Sequence, residues 1–143
     1  RLGPEPLSRA FTAAGLAAAL ARRPGKIKSV LLDQRLIAGL GNIYVDEALF
    51  QARIHPERAA NSLTDEEIRC LHRAIRDVLG AALARRGTSF SSYRDATGAA
   101  GNNQRFLNVY GRARGGRCPR CGGEIVKIIV GGRGTHFCPA CQG

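Results

Sequence analysis

The chain has 143 residues, 44% of them hydrophobic, which suffices for one ordinary domain or two small ones around a modest core. Twenty-two Lys and Arg against 11 Asp and Glu leave a formal charge of +11, which favours a polyanionic partner. No apolar run approaches membrane-spanning length and no signal-peptide pattern opens the chain, so neither a membrane span nor membrane association is expected. The sequence begins at Arg1 and contains no methionine, so it is expected to be processed or to be part of something larger.

The first half reads as helical. Ser8 or Thr12 can cap a helix that carries Phe11, Leu16 and Leu20 and stops at Pro24-Gly25. A second helix is expected from about Ile27 to Gln34, with Val30, Leu31 and Leu32 as its apolar content. The stretch from Ile37 to Asn42 has too many glycines for a helix interior. A third helix is expected from Ile43 to about Ala52, with Ile43, Ala48, Leu49 and Ala52 as its buried stripe. The fourth has a capping box in Thr64 and Glu67, then Ile68, Leu71, Ile75, Val78, Leu79 and Leu83 at helical spacing until Gly87. Cys70 and His72 lie on this helix and read as packing or surface residues. Ser89 to Asn103, rich in Ser, Gly, Ala and Asn, reads as a mobile loop. Leu107, Val109 and Tyr110 follow as a short strand or turn. Ile125 to Val130 is a β-branched strand and Thr135 to Phe137 its partner, joined by Gly131-Gly132-Arg133-Gly134.

Four cysteines carry the clearest chemistry. Cys118, Cys121, Cys138 and Cys141 form two Cys-x2-Cys pairs sixteen residues apart, the spacing of a four-cysteine zinc site. Two such turns at the base of a hairpin give a closed tetrahedral set with no position open for water, a structural staple. The alternative, two disulfides, fits poorly with Arg/Gly-rich flanks and an unpaired fifth cysteine. The charge concentrates here: residues 104–143 hold seven basic residues against Glu124 alone. Because those basic residues sit on glycine-rich turns, nucleic acid is favoured over membrane.

Two places can hold phosphate. In the Gly39–Asn42 turn, glycines permit close backbone approach and the N–H groups of the next helix point outward. The competing reading is a tight helix–helix turn with Asn42 as N-cap. Arg133, flanked by glycines at a hairpin tip, can push a forked guanidinium between phosphates. An ordinary exposed turn arginine is the competing reading there.

In succession, Arg1-Leu-Gly-Pro-Glu-Pro-Leu7, Ile27-Lys28, Leu31-Leu-Asp-Gln34, Gly39-Leu-Gly-Asn-Ile-Tyr44 and Asp46-Glu-Ala-Leu-Phe50 resemble the helix–two-turns–helix region of formamidopyrimidine-DNA glycosylases. His55-Pro56, Gly87-Thr88-Ser89, Val109-Tyr-Gly-Arg112 and the zinc segment through Gln142 continue the resemblance, which covers essentially the whole chain. It implies a mainly α fold with a small β zinc hairpin, divided as a helical unit over 1–89, a connector over 90–108 and a zinc finger over 109–143. It implies one structural zinc ion and a monomeric protein of the bacterial cytoplasm, associated with the nucleoid. The implied partner is double-stranded DNA containing oxidised bases or abasic sites.

Family members excise oxidised purines and then cleave the strand by β- and δ-elimination. By position, Asn42 and Lys28 become phosphate or pocket contacts, with Arg23 and Lys26 as weaker basic candidates and Tyr110 and Gly111 beside them. Arg133 becomes the zinc-finger arginine that grips the phosphates around the flipped nucleotide and is credited with proton donation in δ-elimination. Ser89 to Asn103 becomes the loop over the extruded base. The family's catalytic half, with its N-terminal proline nucleophile, glutamate proton donor and duplex-wedging residues, has no counterpart in these residues. Asn102-Asn103-Gln104 also departs from the family's aromatic before the glutamine. The chain is therefore expected to bind DNA without excising a base by itself, and association with that absent half is a further expectation. Two alternatives stand beside this: a fragment of the endonuclease VIII branch, which prefers oxidised pyrimidines, and a non-enzymatic zinc-hairpin nucleic-acid module.

Overall fold

The computed structural model describes residues 1–86 and 106–143. The expected loop over Ser89 to Asn103 lies outside the described residues, as does most of the 90–108 connector. Four α-helices and one two-stranded hairpin make up the described fold: α1 (Ala13–Ala21), α2 (Ile27–Leu31), α3 (Asn42–Ala52), α4 (Asp65–Arg86), β1 (Val126–Val130) and β2 (Arg133–Phe137). None of the described helices is long and apolar enough to cross a membrane.

Thr12 caps α1, its hydroxyl accepting the Gly15 N–H at 3.0 Å, and Leu16 and Leu20 are the residues α1 buries. Phe11 precedes the helix but is buried in the same core. α2 is shorter than its apolar content suggested. Asp33 breaks it, because its carboxylate takes the Arg35 N–H at 2.9 Å, a donor that a continued helix would send to Leu31 O. Two turns therefore separate α2 from α3. The Gln34 side chain closes the second, accepting the Gly39 N–H at 2.6 Å and donating to the Leu32 and Leu40 carbonyls. The N-terminal segment seals this region, with Gly3 N–H donating to Gln34 O and Ala38 N–H to Pro4 O, both at 2.9 Å.

α3 begins one residue early, with Gly41 as N-cap and Asn42 already helical. The expected stripe is only half right. Ala48 and Leu49 are buried, but Ile43 and Ala52 are partly exposed, whereas every residue from Tyr44 to Phe50 is buried. A helix enclosed on all sides has no polar face; α4, α2 and β2 surround it. α4 opens on the expected reciprocal cap: Thr64 N–H to Glu67 Oε1 at 2.9 Å and Glu67 N–H to Thr64 Oγ1 at 3.1 Å. Ile68, Leu71, Ala74, Ile75, Leu79 and Ala82 form its buried stripe. Cys70 is exposed, and His72 packs on Phe11 with its Nε2 at 2.9 Å from the Phe11 carbonyl.

β1 and β2 pair antiparallel, with Val130 opposite Arg133 and Val126 opposite Phe137. Only Gly131 and Gly132 form the turn, both at positive φ (55° and 79°), as a two-residue hairpin connection requires. Arg133 is thus the first residue of β2 and not part of the turn. Leu107 to Arg112 is a turn, closed by Arg112 N–H to Val109 O at 3.1 Å.

Glu67 also takes both terminal nitrogens of Arg58 at 2.9 Å, so Thr64→Ala and Glu67→Gln separate cap from charge. Thr64→Ala should cost about 1 kcal/mol in urea unfolding. Hydrogen bonding from Arg58 holds the Glu67 carboxyl below its ordinary 4.5. Its contribution is therefore complete above pH 4.5 and is lost as pH falls through the lower folded value. Wild type should outlast Glu67→Gln, which keeps the cap, at pH 7, with the gap closing towards pH 3.

Candidate metal centre and nucleic-acid interface

The four cysteine sulfurs lie within 4.8 Å of one another, with Cys118–Cys141 at 3.8 Å and Cys121–Cys138 at 3.6 Å. Tetrahedral zinc with bonds of about 2.3 Å spaces its sulfurs by about 3.8 Å, so the donor set fits this ion. The first knuckle aims backbone N–H groups at both its sulfurs: Arg120 N to Cys118 and Gly123 N to Cys121, both at 3.3 Å. Burial raises the Cys118 thiol, but the N–H groups of Cys121 and Arg120, together with the Cys138 and Cys121 side chains, bring it down to about 7. Burial and the three neighbouring sulfurs push Cys141 up to about 12. Four thiolates cannot crowd together unaided, and a divalent cation supplies the missing charge. Beneath the knuckles, Phe50, Val109, Cys118, Ile125 and Cys138 form a small core of their own. Arg120 fixes the first knuckle to the end of α3, donating to Phe50 O at 3.0 Å with its guanidinium 4.1 Å above the Phe50 ring.

Two adjacent carboxylates in α3 bind the rest of the second half. Glu47 accepts the N–H groups of Asn108, Val109 and Tyr110 at 2.7, 2.9 and 2.9 Å. Burial pushes its carboxyl up while those three N–H groups pull it down. Asp46 lies 2.8 Å from Lys28 Nζ, both side chains fully enclosed, and its other oxygen accepts the His136 N–H at 2.9 Å. Burial is the largest influence on both, raising Asp46 to about 6 and lowering Lys28. The short contact and the further bonds to each partner maintain the charged pair.

Lys28 Nζ also donates to Thr135 Oγ1 at 2.7 Å and Gly134 O at 3.0 Å. Lys28, expected at a phosphate or in the pocket, is enclosed within this chain. Its ammonium has no exposed surface and is surrounded by three acceptors of the protein itself. Lys26 and Arg23 are engaged with acids, Glu57 at 3.0 Å and Asp33 at 3.2 Å, and neither contact reaches the hairpin.

Asn42 reaches the strand that carries Arg133. Asn42 Nδ2 donates to Gly134 O at 3.2 Å, one residue beyond Arg133, and its Oδ1 is buried without a partner among the described residues. The N-cap Gly41 offers no side chain, so the first-turn N–H groups of Asn42 and Ile43 remain at the α3 terminus. The Arg133 guanidinium is exposed and makes no ion pair or hydrogen bond among the described residues. Tyr110 stands edge-on to His136 at 4.8 Å, and Gly111 turns away at φ 76°. Lys127 is a residue missed from sequence: it is exposed, and its stem runs alongside Gly134, whose missing side chain leaves it room. Asp46 and Glu47 were missed too, although paired acids inside an otherwise apolar helix are a legible signal.

Fold and cysteine site together define a helix–two-turns–helix unit closed against a zinc finger. The Formamidopyrimidine-DNA glycosylase H2TH domain family matches residues 2–94, and the zinc finger found in FPG and IleRS matches residues 115–143. The formamidopyrimidine-DNA glycosylase of Desulfitobacterium hafniense is 56% identical over 142 residues, spanning 99% of this chain and 52% of that relative. The Symbiobacterium thermophilum enzyme is 58% identical over 141 residues, 99% of this chain and 46% of its own length. A Lactococcus lactis enzyme crystallised non-covalently with abasic-site DNA is 46% identical at a TM-score of 0.84, covering 99% of this chain and 49% of that one. The same enzyme with DNA containing FAPY-dG gives 47% and 0.85, covering 99% and 51%. The chain belongs to the formamidopyrimidine-DNA glycosylase family. It spans about half the length of the curated relatives it matches and corresponds to their C-terminal part, with one zinc site.

Cys118→Ser should lower zinc content below one ion per chain by metal analysis and strip amide protection from β1 and β2 while α4 keeps its own. Lys28→Met, which strands the Asp46 carboxylate, should cost about 3–5 kcal/mol in urea unfolding.

Proposed function

We propose that these residues are the DNA-gripping half of a base-excision-repair glycosylase/AP lyase that acts on oxidised purines in bacterial chromosomal DNA. One observation carries this: Asn42, at the α3 terminus, donates to Gly134 O, the carbonyl next to Arg133, which is itself exposed and makes no ion pair among the described residues. Helix N–H donors favour anions, and a forked guanidinium matches phosphate oxygens. Two phosphate-binding groups at fixed spacing would hold a backbone in the bent form that an extruded base requires. Tyr110 and Lys127 flank the same surface, while Arg23, Lys26 and Gly111 contribute at most peripheral charge. Zinc supplies no chemistry to the reaction; it keeps the strand that carries Arg133 in shape.

The complete enzyme would then remove the base with an amine nucleophile from its other half and cleave by β,δ-elimination, with Arg133 beside the phosphates to be expelled. The 143 residues alone would bind lesion DNA as a monomer without excision. Borohydride trapping on abasic DNA tests the second point, since a covalent adduct with this chain overturns it. For the first, Arg133→Ala should weaken binding to a duplex carrying an abasic analogue and lower the salt slope by about one, whatever the sequence. Asn42→Ala should do so more mildly. Unchanged affinity and slope for Arg133→Ala would remove it from the interface.

A further inference from the structure

We propose that the buried Lys28–Asp46 ion pair is a positioning device for Arg133, setting where that guanidinium stands relative to the α3 terminus. This rests on the reading of Arg133 as a DNA contact. The three residues after Arg133 are all held from the helical side: Gly134 O by Lys28 and Asn42, Thr135 Oγ1 by Lys28, and His136 N–H by Asp46. A relay then reaches Arg133 itself. Because Lys28 Nζ donates to Thr135 Oγ1, the hydroxyl must accept there, and its own hydrogen is directed to Arg133 O at 3.0 Å. The hairpin tip is seated from the same helix, since a Cβ on Gly131 would come within 2.7 Å of Ser29 Oγ.

Lys28 comes from α2, whereas Asp46 and Asn42 come from α3, so the pair sets hairpin, turn and helix terminus in one frame. Its charges cancel, so it adds little to the field that attracts DNA. A buried pair is also commonly replaceable by apolar residues without loss of stability. What an apolar pair cannot reproduce is direction: a donor aimed at Thr135 and Gly134, and an acceptor aimed at His136. Lys28 and Asp46 are thus positioning residues acting through Arg133.

The double replacement Lys28→Met/Asp46→Leu separates structure from positioning. In the zinc-loaded chain it should stay folded, with a urea midpoint closer to wild type than that of Lys28→Met, yet bind a duplex containing a tetrahydrofuran abasic analogue about tenfold more weakly. Arg133→Ala, expected to cost wild type about tenfold, should cost at most about twofold in that background. A full Arg133→Ala penalty there, or wild-type binding by the double variant, overturns the proposal. Thr135→Val, which removes only the relay hydroxyl, gives a second reading should the double variant not fold, with the same reduced penalty expected. If Arg133→Ala leaves wild-type binding unchanged, the DNA-contact reading fails instead. Hydrogen exchange then decides the positioning: the His136 amide must lose protection in the double variant, and unchanged protection overturns it.

Discussion

The buried carboxylates of Asp46 and Glu47 hold the second half of the molecule to the first. They are neighbours in sequence on α3, so they leave the helix in different directions, one towards β2 and the other towards the Leu107–Arg112 turn. Between them they accept four backbone N–H groups from segments some sixty to ninety residues away. Such bonds have direction, which apolar packing lacks, and a carboxylate shut away from water holds its donors strongly because losing them is costly. The helix that carries these acids is also the one whose N-terminus faces the hairpin, so helix and strand share one reference.

The zinc finger depends on this anchoring as much as on its metal. Its own core has five buried residues, and one of those, Phe50, is contributed by α3. A cluster of that size cannot offset the ordering of some thirty residues, which is why small folds carry metals or cross-links. Metal, carboxylates and the Arg120 contact to the end of α3 therefore work at three separate points on one ribbon. The chain's last residues add a fourth, Gln142 joining the Cys138 N–H to the Ile54 carbonyl at 2.8 and 3.0 Å.

Much of this was legible in the sequence where signals are local. The cysteine spacing, the Thr64–Glu67 box and the alternation of apolar residues along α4 each depend on residues a few positions apart, and the structure matches them. The early end of α2 was not legible, because the apolar run through Leu32 hides the competition offered by Asp33. The α3 stripe was misjudged since a helix covered on every side has no periodicity to read. Lys28 shows the deeper limit. A lysine in a basic, DNA-like motif looks like a phosphate contact, and only the placement of Asp46, eighteen residues on, shows that its charge is already used.

The glycines beside Arg133 have a further meaning for how the ribbon tolerates change. Side chains on a strand alternate between faces, so adding or deleting one residue in the turn moves every position to the opposite face. A slipped β2 would set Gly132 or Gly134 where Arg133 stands, and neither has a side chain to offer. The ribbon has no second cation in waiting at that spot. On the role proposed for Arg133, turn length would therefore determine anion recognition as much as the arginine itself.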